Sequence, residues 1–198
     1  MSRLLCLLAL TFGVTLGPMQ DASAQERAPE TETTGNMASR DTAASDANAD
    51  ANAQATHQVS QLISQKFGVA RAKAERISAA VMAAASKYSL PPGLLLAIIS
   101  IESRFKENAR GANGATGLMQ VVPRAHKQLV RNIDLTDADA NIAAGSAILH
   151  GYVQSARGDV GAALKSYGGS QAYAEKVSLQ VKKFTPQTDL AADGETGD

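Results

Sequence analysis

Large apolar residues fall into two blocks along the chain, separated by a stretch, residues 25–56, in which Leu, Ile, Val and Phe are all absent. In the second block, residues 57–185, apolar positions recur at three- and four-residue spacing, the period of one helical face, and no alternating strand-like run extends far. The pattern predicts an all-α domain. A short helix is expected over Val59–Phe67, followed by a longer one over Ala70–Tyr88 with Ile77, Val81 and Ala85 along one face. Pro91-Pro92 ends one helix and starts the next, because proline fits a first helical turn but not a helix interior. The segment Gly93–Ser103 (GLLLAIISIES) is apolar almost all round, which predicts a helix buried in the domain centre. Asp137 or Asp139 caps a helix running to about Ala156, Asp159 caps another ending near Gly168, and Tyr173–Phe184 reads as the last. Lys106–Gly117, rich in Gly and Asn, is the long non-helical piece.

The first apolar block, Leu4–Leu16, follows one positive residue (Arg3) and precedes Gly17-Pro18 and the small-x-small ending Ala22-Ser23-Ala24. That is the pattern of a signal peptide over residues 1–24, with cleavage expected before Gln25 and a periplasmic or secreted mature protein. The run is shorter than the ~20 apolar residues a spanning helix needs, and no later segment comes closer, so no stable membrane insertion is expected. Cys6 is the only cysteine and lies within the run, away from the cleavage site, so neither a lipid anchor nor a disulfide is expected in the mature chain. Residues 25–56 read as a disordered linker and the acidic tail 186–198 likewise, since neither has the side chains to build a core.

Net charge is zero overall but unevenly placed. Residues 57–185 carry 16 Lys/Arg against 8 Asp/Glu, while 26–56 and 186–198 are each net −4. A basic domain suits either a polyanionic partner or plain solvation. Export argues against nucleic acid, and with four Phe, four Tyr and no Trp there is little aromatic surface on which to stack bases.

Glu102 ends the most apolar helix of the chain and stands before the Gly-rich loop. Partial desolvation and the negative end of the helix dipole both disfavour its carboxylate. A carboxyl kept neutral near pH 7 can protonate a leaving oxygen, as cleavage of a glycosidic bond requires. Taken alone, the residue reads more readily as a helix end facing water than as a catalytic acid.

The neighbouring residues add to this. Glu102-Ser103-Arg104-Phe105, then Gly114-Ala115-Thr116-Gly117-Leu118-Met119-Gln120 and Pro123, resemble the soluble lytic transglycosylase (SLT) family, which shares its fold with goose-type lysozyme. Asn141-Ile142-Ala143-Ala144-Gly145 with Leu149 is similar to that family's third motif, and Ala163-Leu164-Lys165-Ser166-Tyr167 to its fourth, so that the resemblance covers about Ala79–Val177. It implies a single lysozyme-like helical domain acting on peptidoglycan glycan strands, with Glu102 as the catalytic acid/base. Gln120 and Tyr167 are implied to bind sugar, with Ser103 beside the acid and Gly117 and Met119 in the same motif. Gly114 and Gly117 serve either a tight turn or the approach of backbone to sugar, Met119 fits a core position as well as a contact, and Tyr167 fits helix-end packing as well as the cleft. Two positions depart from the family: Gly168-Gly169-Ser170 follows Tyr167 where Asn is common, and Glu107 stands where Pro is frequent.

Glycoside hydrolysis generally uses a second carboxylate, as nucleophile or to activate water. None stands in these motifs: Glu107 lies in the loop, and Asp134, Asp137 and Asp139 read as turn and cap residues. The resemblance implies another route, in which the C6 hydroxyl of muramic acid attacks its own anomeric carbon and leaves a 1,6-anhydromuramic end. A lysozyme-like hydrolase and a non-catalytic glycan-binding or assembly protein on the same scaffold remain as alternatives, and family members of this size often serve secretion or pilus systems. No metal or other cofactor is expected. Asp137-x-Asp139-x-Asn141 opens like a calcium loop, but Ile142 occupies the turn that needs Gly and Ile148 the place of the bidentate Glu. His57, His126 and His150 match no ligand spacing.

Overall fold

The structure, a computed structural model, describes residues 38–185. The expected signal segment, residues 25–37 of the expected linker and the tail 186–198 lie outside the described residues. The chain divides between Arg40 and Asp41 into two units, and the helical core belongs to the second. The described residues are all-α, as the periodicity predicts: α1 (Ala38–Phe67), α2 (Arg71–Tyr88), α3 (Pro92–Glu102), a 3-10 turn (Ala112–Gly114), α4 (Lys127–Val130), α5 (Ala138–Ser155), α6 (Val160–Gly168) and α7 (Gln171–Val181). The described residues contain no strand, only isolated bridges from Thr116 to Arg110 and to Val121.

At the centre is α3. Pro92 is its first helical residue, and every residue from Leu94 to Ser100 is buried. Burying each of its Leu and Ile side chains contributes about 2 kcal/mol against the entropy of ordering the chain. Helix α2 supplies Ile77, Val81 and Ala85 from the expected face and packs on α3 and α5, while α7 packs on α3 and α6. The caps follow local chemistry. Asp137, rather than Asp139, accepts a hydrogen bond from Ala140 N at 2.9 Å to start α5, Asp159 caps α6 through Ala162 N at 3.0 Å, and Ser170 caps α7 through Tyr173 N at 3.1 Å. That last cap starts α7 at Gln171, two residues before the expected Tyr173.

The largest departure is α1. Composition predicts disorder up to residue 56, yet the helix runs unbroken from Ala38 to Phe67. Alanine has the highest intrinsic helix propensity, so an Ala-rich stretch without core-forming residues can extend a helix that is anchored elsewhere. The anchor is at the C-terminal end, where Ile63 is fully buried, while residues 48–54 are all exposed.

Candidate active site

Glu102 is the last residue of α3, half-buried, and its carboxylate Oε1 accepts a hydrogen bond of 2.6 Å from the hydroxyl of Tyr173 in the first turn of α7. Burial raises the Glu102 pKa above its ordinary value of 4.5, while the Tyr173 hydrogen bond and the nearby Lys176 ammonium act the other way; the net shift is upward. The dipole argument and the desolvation argument from sequence point in that same direction. Burial and the neighbouring Glu102 charge push Tyr173 well above the usual phenol range, so it stays a hydrogen-bond donor throughout the working pH range. The two helices are tied a second time by Gln180 Nε2, which donates to Ser100 Oγ at 2.9 Å.

Behind the site, Asn141 of α5 organises the loop. It is fully buried; its Oδ1 accepts from Met119 N at 2.8 Å, and its Nδ2 donates to Thr116 O at 2.8 Å and Leu135 O at 2.9 Å. Gly117 has a φ of +79°, and a Cβ there would meet Asn141 Nδ2 at 2.2 Å and Leu135 O at 2.5 Å. Of the two readings open for Gly117, the packing supports the tight turn, because Asn141 already fills the space a side chain would take. Gly114 differs, with a φ of +78° and open space around it.

The remaining motif residues have defined partners. Met119 is completely buried, its sulfur accepting from Ser146 Oγ at 3.8 Å and its side chain lying where a Cβ on Gly145 would go, so it belongs to the core. Gln120 spends its amide donors on Gly117 O at 2.9 Å and Ala109 O at 3.2 Å, bracing the loop from inside. Tyr167 donates to Met119 O at 2.9 Å and stands edge-on to Tyr152, with centroids 6.4 Å apart. Burial first, and then the Glu102 charge, raise its pKa, so Tyr167 also lies within the electrostatic reach of Glu102. Ser103 is buried and turns its hydroxyl back onto Ile99 O at 3.1 Å, ending α3 rather than presenting the hydroxyl to a ligand.

Other carboxylates are engaged elsewhere. Glu107 is held by Lys73 Nζ at 2.7 Å and Arg76 Nη2 at 3.2 Å, which fastens the loop to α2. Asp134 accepts from Thr136, and Asp137 and Asp159 cap helices. Among the described residues, no three His, Cys, Asp or Glu side chains gather as metal ligands would.

Sequence reasoning finds Glu102 and the loop but misses Tyr173, which it reads only as a helix start. The available signal is the Gly168-Gly169-Ser170 run. A Cβ on Gly168 would stand 2.2 Å from the Tyr173 ring, Gly169 adopts the left-handed conformation at φ +78°, and Ser170 caps α7. Gly168 thus leaves the space that the Tyr173 ring occupies.

The family model described as Transglycosylase SLT domain matches residues 79–189. Among solved structures, that of an inactive mutant of the lytic transglycosylase Slt from Pseudomonas aeruginosa is similar at 25% sequence identity with a TM-score of 0.43, covering 52% of this chain and 20% of that one. This chain thus corresponds to about a fifth of that relative's length. The family match takes in more than half of the chain, from within α2 through Glu102, the loop and α5–α7, and the chain belongs to the transglycosylase SLT domain family.

Proposed function

We propose that the protein cleaves the β-1,4 bond between N-acetylmuramic acid and N-acetylglucosamine in peptidoglycan by lytic transglycosylation, with Glu102 as its single acid/base. The observation that carries this reading is a half-buried carboxyl at the end of the central helix, with a raised pKa and a phenol donor on one oxygen, while Glu107 is committed to ion pairs and Asp137 and Asp159 to helix caps. The protonated Glu102 gives its proton to the glycosidic oxygen as the bond to the muramic anomeric carbon breaks, and the N-acetyl group of that sugar stabilises the electron-poor carbon. The resulting carboxylate then takes the proton from the C6 hydroxyl of the same sugar as that oxygen bonds to the anomeric carbon. The proton returns to Glu102 and no water is consumed. Intramolecular attack makes up for the missing second carboxylate, since a nucleophile held beside the carbon has a high effective concentration.

Tyr173 holds Glu102 in place through both steps and balances its basicity. Tyr167, Gln120 and Gly117 act by holding the loop that walls the sugar cleft. The apolar start of the chain and its small-x-small ending support export, and the basic domain suits the carboxylates of the wall; service to a secretion or pilus system stays within the same reading.

Digestion in 18O-labelled water tests the route. Transglycosylation leaves every new muramic end unlabelled and lighter by one water than an ordinary, unlabelled reducing end, whereas 18O at the new ends would assign the protein to the lysozyme-like hydrolases.

A further inference from the structure

Immediately after Glu102 the backbone makes a turn that its residues do not favour. Arg104 and Phe105 have φ values of +53° and +62°, and Lys106 N closes the turn on Ser103 O at 3.1 Å. Two consecutive left-handed residues make a turn usually built from Asn and Gly. For Arg and Phe the conformation is strained, because Cβ is brought too close to the following carbonyl oxygen. Such a turn persists only where its surroundings over-determine it.

What surrounds it is a cluster of three phenylalanines. The Phe105 side chain is 3% exposed, its ring centroid 4.6 Å from that of Phe67 and 6.3 Å from that of Phe184. Phe67 also stacks on Phe184 at 6.4 Å, with ring planes 12° apart. Arg104 and Lys106, on either side of Phe105, are exposed, and a cavity of ≈ 470 Å³ lined by Lys73, Arg104, Lys106 and Glu107 opens beside the turn. Of the two left-handed residues only Phe105 is buried, so its ring is what the surroundings grip, while the buried Ser103 ties the start of the turn to Ile99 O. Phe67 closes α1, which lies outside the residues matched by the family model and has no broad packing face against any other described helix; it is attached near its C-terminal end, through Val59, the buried Ser60 and Ile63, and Phe67.

We propose that Phe67 is a positioning residue for Glu102: by clamping Phe105 it fixes the left-handed turn that ends α3, so that the C-terminal end of α1 is a working part of the catalytic unit. The choice of Glu102 as the acid rests on the function proposed above, but the coupling of Phe67 to Glu102 does not. Removing the clamp lets the turn relax toward ordinary φ values. The last turn of α3 then frays, and Glu102 moves away from Tyr173 into water.

The test compares wild type, Phe67→Leu and Phe67→Ala in the full chain, with circular dichroism and melting to establish folding. Carboxyl-carbon NMR, assigned with Glu102→Gln, follows the Glu102 titration, and backbone shifts of Arg104 and Phe105 report the turn. The expected result is that the Glu102 titration midpoint moves down toward the ordinary value in folded Phe67→Ala, by less in Phe67→Leu, and is restored in Phe67→Tyr, with the left-handed shift signature of Arg104 and Phe105 lost and regained in the same order. On peptidoglycan, kcat falls about tenfold or more in Phe67→Ala with little change in KM. Should Phe67→Ala unfold, Phe67→Leu carries the test. An unchanged Glu102 titration and unchanged turn shifts in the folded variant would overturn the proposal. A shifted titration in a protein whose wild type cleaves no glycan would leave the coupling standing and remove the proposed function instead.

Discussion

At the residue scale, Glu102 carries two opposed demands. Its pKa is raised by burial, so the folded protein binds a proton there more tightly than the unfolded chain does. The unfolded chain gives up that proton as pH rises through about 4.5, whereas the native state gives it up only at higher pH, so stability falls across that window and stays lower above it. Glu102→Gln cannot titrate. It should melt at a higher temperature than wild type at pH 7, and the difference should shrink below pH 4.5, as read by melting at several pH values. The same substitution should lower turnover by about 10²–10⁴-fold, the usual worth of an acid/base. Tyr173→Phe and Lys176→Gln each remove a group that favours the carboxylate, so both should carry the alkaline limb of the rate profile to higher pH. Only Tyr173→Phe should also cost about tenfold or more in kcat, because it alone frees the carboxyl to rotate. Of these residues, Glu102 was singled out in the sequence by the family-like motif around it rather than by the apolar run alone, and Tyr173 was not: no local pattern says that a phenol 71 residues away meets it.

At the element scale, the packing of helix ends decides how the site is assembled. Gly168 closes α6 at an exposed position where alanine would ordinarily help a helix by up to about 1 kcal/mol. Here a Cβ would meet the Tyr173 ring. Gly168→Ala is expected to lose activity severalfold or more while melting within a few degrees of wild type, and normal activity in that variant would separate Tyr173 from the chemistry. Asn141→Ala strips three hydrogen bonds from buried backbone groups and should destabilise by about 3 kcal/mol, measurable by urea unfolding. The helices themselves follow from periodicity, the proline pair and the Asp caps. The loop does not: Gly114 and Gly117 look alike in sequence, yet one meets open space and the other a buried amide, a distinction made by α5 from 24 residues further on. The reach of α1 through an Ala-rich segment was missed for a related reason, since low hydrophobicity argues against a core and not against a helix.

At the scale of the whole molecule, a basic domain stands beside acidic flanking sequence. If the wall's carboxylates are its partner, retention on purified peptidoglycan should weaken steeply between about 0.05 and 0.5 M salt, because exposed charges are screened over roughly a Debye length. Removing residues 26–56 and 186–198 should raise activity at low salt if those acidic stretches compete for the same basic surface; an equal rate would assign them no such role. No described helix is long and apolar enough to cross a membrane. The all-α class was legible from spacing alone, whereas the proposed reaction route comes from the resemblance to the family, with the Glu102 carboxyl as its support. The most direct test is therefore mass spectrometry of the muropeptides released from purified peptidoglycan by the wild type and by Glu102→Gln. Anhydromuramic ends from the wild type, and their loss from a folded Glu102→Gln, are the predicted result; reducing ends, or equal release by the mutant, would contradict a lone-carboxyl transglycosylase centred on Glu102.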